Sequence, residues 1–254
     1  MSTIEAPAIA LALPGRTLPA GEGTTWISRG WDLFKKAPLI WIVAVVMLFV
    51  LSLVLGVAGA IGTIVYNLVS PVIAGGLMKG CQSLEQGGEL EFEHIFSGFA
   101  GSRLVPLLIL GAIFIALYGV LILVFVMFAG MSVLSAFVVG DPSAIYAMGA
   151  AVLVPILLGT LVVLMLAIPV MMAYWFAPAL VMLGGLSPVD AMKESFMACL
   201  RNFLAFLVYG IVMFVLAIVA LIPLGLGMLV WVPVMIASTY AGYRQIFIAA
   251  APPA

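Results

Sequence analysis

Four long stretches of the chain contain no acidic or basic side chain, and they restrict what the chain can fold into. They cover residues 37–78, 104–140, 142–189 and 202–243. Across the whole chain, 66% of the residues are hydrophobic and 7% are charged, whereas about 25% are charged in an average soluble domain. A chain of this composition cannot hide its apolar surface in one water-soluble core. We therefore expect it to lie in a membrane.

Each uncharged stretch is long enough for at least one membrane-spanning helix, which needs about 20 apolar residues. Breaks at 56–62, 139–144 and 222–227 divide these stretches further. The pattern predicts an all-α, polytopic membrane protein. Its six transmembrane helices are expected at residues 39–58, 61–83, 104–129, 147–173, 203–222 and 226–247. Residues 130–149 leave room for an extra short element between the third and fourth spans.

The charges in the predicted loops indicate the orientation of the chain. All nine Lys and Arg residues fall on one side of the predicted spans, and Asp141 is the single charge on the other side. Because cytoplasmic loops carry an excess of basic residues, we expect both termini in the cytoplasm and a multi-pass protein of the bacterial inner membrane. The apolar stretch at 9–14 is too short, and lacks the basic flank, for a signal peptide.

The predicted domain organisation is simple. Residues 1–24 are rich in Pro, Gly and Ala and are expected to form a disordered cytoplasmic tail. Residues 25–248 are expected to form a single six-helix membrane domain, followed by a short C-terminal tail at 249–254. Cys81 and Cys199 both fall on the predicted cytoplasmic side, where thiols stay reduced, so we do not expect a disulfide.

A proline followed by valine occurs three times in the chain, at Pro71, Pro169 and Pro233. The first two are followed by a glycine pair and then by a stretch with apolar residues at helical spacing. A similar stretch precedes the first span, and the three stretches end in a basic residue: Lys36, Arg103 and Arg201. The sequence therefore predicts three parallel hairpin repeats, each preceded by a cytoplasmic interfacial amphipathic helix.

Each of these prolines is expected to kink the returning helix of its hairpin, because proline removes one backbone hydrogen bond. In lipid that defect has to be covered by neighbouring groups. Small residues follow each proline and suit close helix contact. We therefore predict helix kinks at Pro71, Pro169 and Pro233 that pack inward around a pseudo-threefold centre. The alternative is that proline is simply commoner in spanning helices.

Residues 175–210, WFAPALVMLGGLSPVDAMKESFMACLRNFLAFLVYG, resemble a signature of a bacterial inner-membrane family of unknown function, the YciC-like proteins. They are more distantly similar to the membrane domain fused to some glycerophosphodiester phosphodiesterases. GWDLFKKAPLIW at 30–41 repeats part of the motif. The resemblance extends over about 220 residues, from 26 to 247, and implies a six-span inner-membrane protein. It carries over no catalytic residues, because the phosphodiesterase chemistry of those relatives belongs to a separate soluble domain.

Few residues are candidates for a site. His94 is the only histidine; with the carboxylates around it, an oxygen-rich metal site is conceivable, but a solvated acidic helix face is the preferred interpretation, and we expect no metal and no cofactor. Asn67 lies one helical turn before Pro71, where it can bond the carbonyl that the proline frees or contact a ligand. The candidate ligand or lipid contacts are Asn67, Tyr66, Thr160, Trp31, Arg29, Lys35 and Lys36.

Three functions remain open from the sequence. The preferred one is a non-enzymatic integral membrane protein with a structural, lipid-organising or accessory role in assembly, because the spans carry no ionisable groups. The second is a small transporter or channel for a neutral or lipid-like molecule. The third is a lipid enzyme at the membrane surface that uses His94. Expected partners are membrane phospholipids, with a homo-oligomer or larger membrane complex left open, and no nucleic acid.

Overall fold

A computed structural model describes residues 11–138 and 145–248 of the chain. Within these residues the regular structure is helical, and the sole β-type contact among them is an isolated bridge between Leu11 and Ile248. The all-α prediction is therefore confirmed for the described part of the chain. The C-terminal tail at 249–254 and residues 1–10 lie outside it.

Along the chain, one or two short helices precede each pair of long helices. The helices are α1 (Glu22–Lys36), α2 (Pro38–Val57), α3 (Gly59–Glu85), α4 (Phe92–Phe96), α5 (Leu104–Val138), α6 (Ile145–Trp175), α7 (Ala177–Met182), α8 (Pro188–Arg201), α9 (Phe203–Leu221) and α10 (Met228–Phe247), with a 3-10 turn at Ser97–Phe99 directly after α4. Each of the six predicted spans coincides with one long helix. The main difference is α5, which continues to Val138 instead of ending near residue 129.

Five helical segments in the described residues are long and apolar enough to cross a membrane. They are Pro38–Val57, Gly59–Glu85, Leu104–Gly130, Leu153–Met182 and Phe203–Leu221. The sixth long helix, α10, is not among them, because its C-terminal half contains hydroxyl side chains together with Arg244 and Gln245. The chain thus has several candidate membrane spans, and α10 differs from them in composition.

Contacts divide the chain into two compact units, Met1–Gly111 with Met172–Ala254, and Ala112–Met171. This differs from the expected single domain at 25–248. In the second unit, a β-carbon on Gly159 of α6 would lie 2.6 Å from the β-carbon of Phe128 of α5, so the two helices touch closely there. The predicted extra element at 130–149 falls partly on residues 139–144, which lie outside the described residues; 130–138 continue α5 and 145–149 begin α6.

In the first unit, α1 packs along α10 at a point where two backbones almost touch. A β-carbon on Gly30 would lie 2.7 Å from the backbone nitrogen of Ser238 and 2.8 Å from the carbonyl oxygen of Val234. Real β-carbons do not approach backbone atoms so closely, so a residue with no side chain is required at this position. Trp26 of α1 is fully buried beside Phe206 of α9, with ring centroids 5.0 Å apart.

The short helix α4 meets α3 in a similar way. A β-carbon on Gly76 of α3 would lie 2.6 Å from the carbonyl oxygen of His94, and one on Gly98 would clash with the carbonyl of Val72. The third short helix, α8, contacts the last turn of α6 through Ser195. Of the short helices before a long pair, α4 and α8 each pack on the long helix that precedes them, whereas α1, the first helix of the described residues, packs on α10.

The segment before α1 is ordered from residue 11 onward, which corrects the expectation of a disordered tail over residues 1–24. The backbone nitrogen of Arg16 donates to the carbonyl of Ile246 at 2.9 Å. The side-chain oxygen of Asn202 accepts from the backbone of Leu18 at 2.7 Å, and its amide donates to the carbonyl of Arg16 at 3.0 Å. Because Asn202 is 2% exposed, its polar groups need these partners, and the segment supplies them.

Replacing Gly30 with Ala is expected to lower the free energy of unfolding by about 1–3 kcal/mol, because the new methyl group forces α1 away from α10. Denaturation in mixed micelles, followed by circular dichroism, measures the change. Gly56→Ala on α2 is the matched control: open space surrounds this glycine, so stability should stay equal or rise by up to about 1 kcal/mol through helix propensity. Equal effects of the two substitutions would contradict the close contact at Gly30.

Candidate functional site

An apolar cavity of about 320 Å³ lies within the first unit, between α2, α3, the junction of α6 with α7, and α10. Its lining is mostly aliphatic and aromatic, with a few hydroxyl groups. The lining residues are Leu48, Tyr66, Ser70, Ile73, Ala74, Leu77, Met78, Tyr174, Trp175, Pro178, Ala179, Met235, Ile236 and Thr239. The three helices that carry the proline-valine pairs all contribute to this wall, so the cavity lies where the returning helices meet.

The wall on α3 is a single stripe of side chains. Tyr66, Ser70, Ile73, Leu77 and Met78 recur at intervals of one, three or four residues, which places them on one helix face. The part of α3 that follows Ser70 is well buried, since Ile73 is 7% exposed and Leu77 is 3% exposed. The cavity therefore follows the helix lengthwise instead of crossing it.

The hydroxyl groups of the wall already have partners within the protein. The Ser70 hydroxyl donates to the carbonyl of Asn67 at 3.1 Å and lies 3.4 Å from the hydroxyl of Tyr174. The Thr239 hydroxyl donates to the carbonyl of Met235 at 3.0 Å. Because a buried polar group without a partner is costly, these bonds let a largely apolar cavity include hydroxyl side chains.

The backbone defect at Pro71 is repaired by Ser70, the residue directly before it. Proline has no N–H to offer the carbonyl four residues earlier, which here is that of Asn67, and the Ser70 hydroxyl donates to that carbonyl. From the sequence, we expect Asn67 either to bond that carbonyl or to contact a ligand. Its side-chain amide donates instead to the carbonyl of Thr63 at 2.8 Å, and Asn67 is not part of the cavity wall.

A second repair holds the cavity wall at the junction of α6 and α7. The helix breaks at Phe176, two residues before Pro178, so the backbone bond from Phe176 to Met172 is interrupted. The Ser195 hydroxyl of α8 bridges the gap: it accepts from the Phe176 nitrogen at 2.9 Å and donates to the Met172 carbonyl at 2.7 Å. Ser195 is fully buried. We did not predict this residue from the sequence; the available signal is its position three residues after Met192 and four before Cys199, which places a hydroxyl on the apolar face of α8.

The three prolines lie inside helices, as predicted: Pro71 in α3, Pro169 in α6 and Pro233 in α10. Pro71 and Pro233 are buried in the first unit, whereas Pro169 is exposed and belongs to the second. A fourth proline, Pro155, also lies inside α6. That the three positions bend their helices stays a prediction.

Of the other predicted contact residues, Tyr66 lies in the cavity wall and the rest lie elsewhere. Thr160, in the second unit, donates to the carbonyl of Ile156 in its own helix at 2.8 Å. On α1, Arg29 and Lys35 are exposed, with Lys35 2.9 Å from the carboxylate of Asp32. Their position leaves them accessible to a membrane surface.

The tryptophans do not share one environment. Trp31 is 45% exposed, whereas Trp26 and Trp41 are 1% and 0% exposed. The sequence predicts a lipid contact for Trp31, and its exposure leaves the ring accessible for one. The rings of Trp26 and Trp41 are part of the packed core of the first unit, so Trp31 is the tryptophan of this group that can meet lipid.

Two basic side chains donate to backbone carbonyls, one in the last turn of α3 and one in the loop between α7 and α8. The Lys36 amine donates to the carbonyl of Leu84 in the last turn of α3 at 2.7 Å, and the Arg103 guanidinium donates to the carbonyl of Gly185 at 3.3 Å. A cation near the C-terminal carbonyls of a helix is favoured by the helix dipole. Lys36, predicted as a head-group contact, therefore also serves as a helix cap.

An ion pair joins α3 to α10. The guanidinium of Arg244 lies 2.7 Å from the carboxylate of Glu85, which also accepts a hydrogen bond of 2.6 Å from the hydroxyl of Tyr240. Because both charges remain partly exposed, the pair contributes a modest stabilisation. Its main effect is to hold the C-terminal ends of the two helices together.

His94 takes part in a helix cap. Its Nδ1 accepts from the backbone nitrogen of Glu91 at 3.0 Å, while the Glu91 side chain accepts from the His94 backbone, so the two form a reciprocal capping box at the start of α4. Within residues 11–138 and 145–248, no group of three or more His, Cys, Asp or Glu side chains could hold a metal ion. The geometry around His94 thus gives it a structural role.

Both cysteines are free and buried. Burial raises the pKa of Cys199, on the short helix α8, to about 12, and a hydrogen bond with Ser195 opposes this only in part. A thiol with this pKa is protonated and unreactive at neutral pH. Cys199 lies 3.6 Å from the Met172 carbonyl, so it packs beside the Ser195 bridge as a small apolar residue.

Comparison with known proteins supports a membrane location. The chain is similar to a probable inner membrane protein of Burkholderia thailandensis, with 29% identity over 213 residues that cover 78% of this chain and 74% of the relative. No protein-family model matches the chain, and no solved structure matches it. The relative's name and the five apolar helices together support a multi-pass protein of the inner membrane.

Replacing Ser195 with Ala is expected to cost about 1–3 kcal/mol of unfolding free energy, because it leaves a buried N–H and a buried C=O without their partner. Hydrogen exchange should also accelerate at the Phe176 amide, which the Ser195 hydroxyl protects in the native protein. Ser52→Ala is the matched control, since that hydroxyl binds a carbonyl of its own helix and is only half-buried. Unchanged exchange at Phe176 in the Ser195 variant would show that the bridge does not form.

Proposed function

We propose that this chain is a non-enzymatic integral protein of the bacterial inner membrane with a structural, lipid-organising or accessory role. The observation that supports it most is the packing of α1, α4 and α8 on long helices through Gly30, Gly76 and Ser195. This arrangement holds three short helices against a helical bundle. The buried polar groups take part in contacts between helices. Trp26, Phe176 and Tyr243 are buried in the same region of the first unit, which is therefore closely packed.

The proposed topology has six spans in three parallel repeats, with α10 as the sixth span. Each repeat consists of a short amphipathic helix, an outgoing span and a returning span, as in the order of α1, α2 and α3. Lys36 and Arg103, which each precede an outgoing span, contact carbonyls at the end of α3 and after α7, and these contacts support the grouping. Polar residues lower the hydropathy of α10, but neighbouring helices bury many of them, including Ser238 and Tyr240.

The proposed orientation places both termini in the cytoplasm. Contacts of Arg16 with Ile246, of Arg103 with Gly185, and of Arg244 with Glu85 are consistent with one shared end for the basic segments. Basic residues at one end of a bundle favour the cytoplasmic side. Further proposed properties are kinks at the three prolines, membership of the YciC-like group, and assembly with phospholipids or with other membrane proteins.

A transporter or channel for a neutral or lipid-like molecule is the second candidate. The cavity beside Tyr66 and Ser70 favours a lipid-like cargo over a polar one, because its wall is mostly apolar. Asn67 and Thr160, two of the predicted ligand or lipid contacts, bond to carbonyls of their own helices. A surface enzyme that uses His94 is the weakest candidate, since the Nδ1 of that residue is engaged in a helix cap.

The lipid-organising role predicts a preference for anionic phospholipid that depends on α1. Native mass spectrometry of the protein from mixed phosphatidylethanolamine and phosphatidylglycerol micelles should show more bound phosphatidylglycerol. Arg29→Gln with Lys35→Gln should reduce that preference about thirtyfold, since each basic residue contributes about 1 kcal/mol at an anionic surface and about 1.4 kcal/mol corresponds to a factor of ten. Asp32→Asn, which removes an acidic charge from the same helix, should leave the preference equal or raise it.

Two outcomes would contradict the proposed function. One is equal binding of the two lipids by the native protein. The other is protein-dependent passage of a neutral solute or a labelled lipid across proteoliposomes, which would favour the transporter. The lipid-binding measurement uses micelles and the passage measurement uses proteoliposomes, and both use the same purified protein.

A further inference from the structure

We propose that the cavity between α3, the α6–α7 junction and α10 holds one acyl chain of a membrane phospholipid. This inference rests on the proposed function in one respect, that the first unit lies in a bilayer. It goes further by assigning a defined site to the hydrocarbon tail, at a place other than the basic side chains of α1 that would meet the head group.

The length of the cavity suits a single tail. Its wall on α3 runs from Tyr66 to Met78, which at 1.5 Å per residue is about 18 Å along the helix. One leaflet contributes about 15 Å of hydrocarbon to a bilayer. A tail that lies along α3 can therefore stay in the cavity over most of its length.

The cavity is too small to take in a whole helix, and a neighbouring helix would fill it only with single side chains. A helix about 10 Å across and 18 Å long fills roughly 1,400 Å³, several times the cavity volume of about 320 Å³. That volume lies within the range of small-molecule sites, about 300–1,000 Å³. A second copy of the chain, or a partner helix, is too wide for the space beside Ile73 and Ala74.

The chemistry of the wall favours hydrocarbon over a polar ligand. The hydroxyls of Ser70 and Thr239 donate to carbonyls of their own helices, and Ser70 also meets Tyr174. A hydrocarbon tail leaves these bonds intact. A polar ligand would instead lose its hydration against a mostly apolar wall, at a cost of several kcal/mol, whereas dry apolar cavities readily accept apolar guests.

The cavity is open to the side from which a lipid tail would enter. Tyr66, Ala74 and Met235 in its wall are only half-buried, and neighbouring side chains outside it are exposed, with Phe49 at 61% and Ile64 at 51%. In a bilayer these exposed apolar groups face lipid. A tail can thus move from the surrounding lipid into the cavity without crossing a polar layer.

Photo-crosslinking tests the assignment. The full chain is reconstituted in phosphatidylethanolamine vesicles that contain a phosphatidylethanolamine with a diazirine in the middle of one acyl chain, and labelled residues are mapped by mass spectrometry. We expect at least fivefold more label at Ser70, Ile73 and Ala74 than at exposed residues of the same helix such as Ile64. Even labelling along the lipid-facing surface would overturn the proposal.

Variants make the test specific. Ala74→Phe fills the cavity and should reduce its labelling at least fivefold, whereas Ala60→Phe, on the exposed face of the same helix, should change it less than twofold. If Ala74→Phe does not fold, Met235→Trp fills the cavity from α10 instead. Cavity labelling that persists in the folded blocking variant contradicts the assignment.

Tyr174→Phe removes a hydroxyl from the cavity wall and should retain labelling within twofold. Loss of labelling in this variant would point to a polar ligand and overturn an acyl-chain site.

The outcome is independent of the head-group preference of α1. Blocking the cavity should leave the preference for phosphatidylglycerol unchanged, because Arg29 and Lys35 are not part of its wall. Loss of cavity labelling with a normal head-group preference would therefore refute the acyl-chain site alone. Normal cavity labelling without a head-group preference would refute the lipid-organising role alone.

Discussion

The first unit depends on backbones that come within van der Waals contact where a side chain is missing or very small. Apolar helices gain nothing from leaving lipid for one another by the hydrophobic effect, so close packing and hydrogen bonds have to hold them together. Gly30 against α10 and Gly76 against α4 provide such packing. Any β-carbon at either position would meet backbone atoms, which cannot move aside like a flexible side chain.

A second constraint follows from the first. Helices that pack so closely are interrupted by prolines, and in lipid each interruption leaves backbone groups that water cannot satisfy. Ser70 supplies the missing partner at Pro71, and Ser195 supplies it at the break before Pro178. Ser70 is part of the cavity wall, and Ser195 holds the junction that contributes Tyr174 and Trp175 to the wall. Because these hydroxyls bind the freed backbone groups, the helices around the cavity can be irregular while the cavity wall stays apolar.

The positions of the long helices could be predicted from the sequence, because uncharged stretches of this length have few alternatives and the breaks between them contain Gly or Pro. The same reasoning placed Pro71, Pro169 and Pro233 inside helices. It failed where tertiary contacts decide. Burial of Trp26 and Trp41, order in the segment before α1, and the role of Ser195 depend on residues far apart in the chain, which periodicity within one helix does not report.

The candidate site was predictable only in part, for the same reason. Tyr66 was identified as a polar residue in a span and lies in the cavity wall. Asn67, its neighbour, was assigned to the carbonyl freed by Pro71, but a serine next to the proline reaches that carbonyl. The carbonyl that Pro71 frees is that of Asn67 itself, so the hydroxyl three residues later is better placed to reach it than the Asn67 amide, which bonds to Thr63.

The central claim is that α1 packs along α10. A crosslink between the two helices tests this claim most directly. Glu22 accepts a 2.7 Å hydrogen bond from the side chain of Gln245, and the native cysteines are buried. With Glu22→Cys and Gln245→Cys and a protease site inserted near Gly87, a short bismaleimide should keep the cleaved halves joined on a denaturing gel. The pair Glu22→Cys and Leu224→Cys should not join them. Halves that separate in the first pair as completely as in the second would contradict the account.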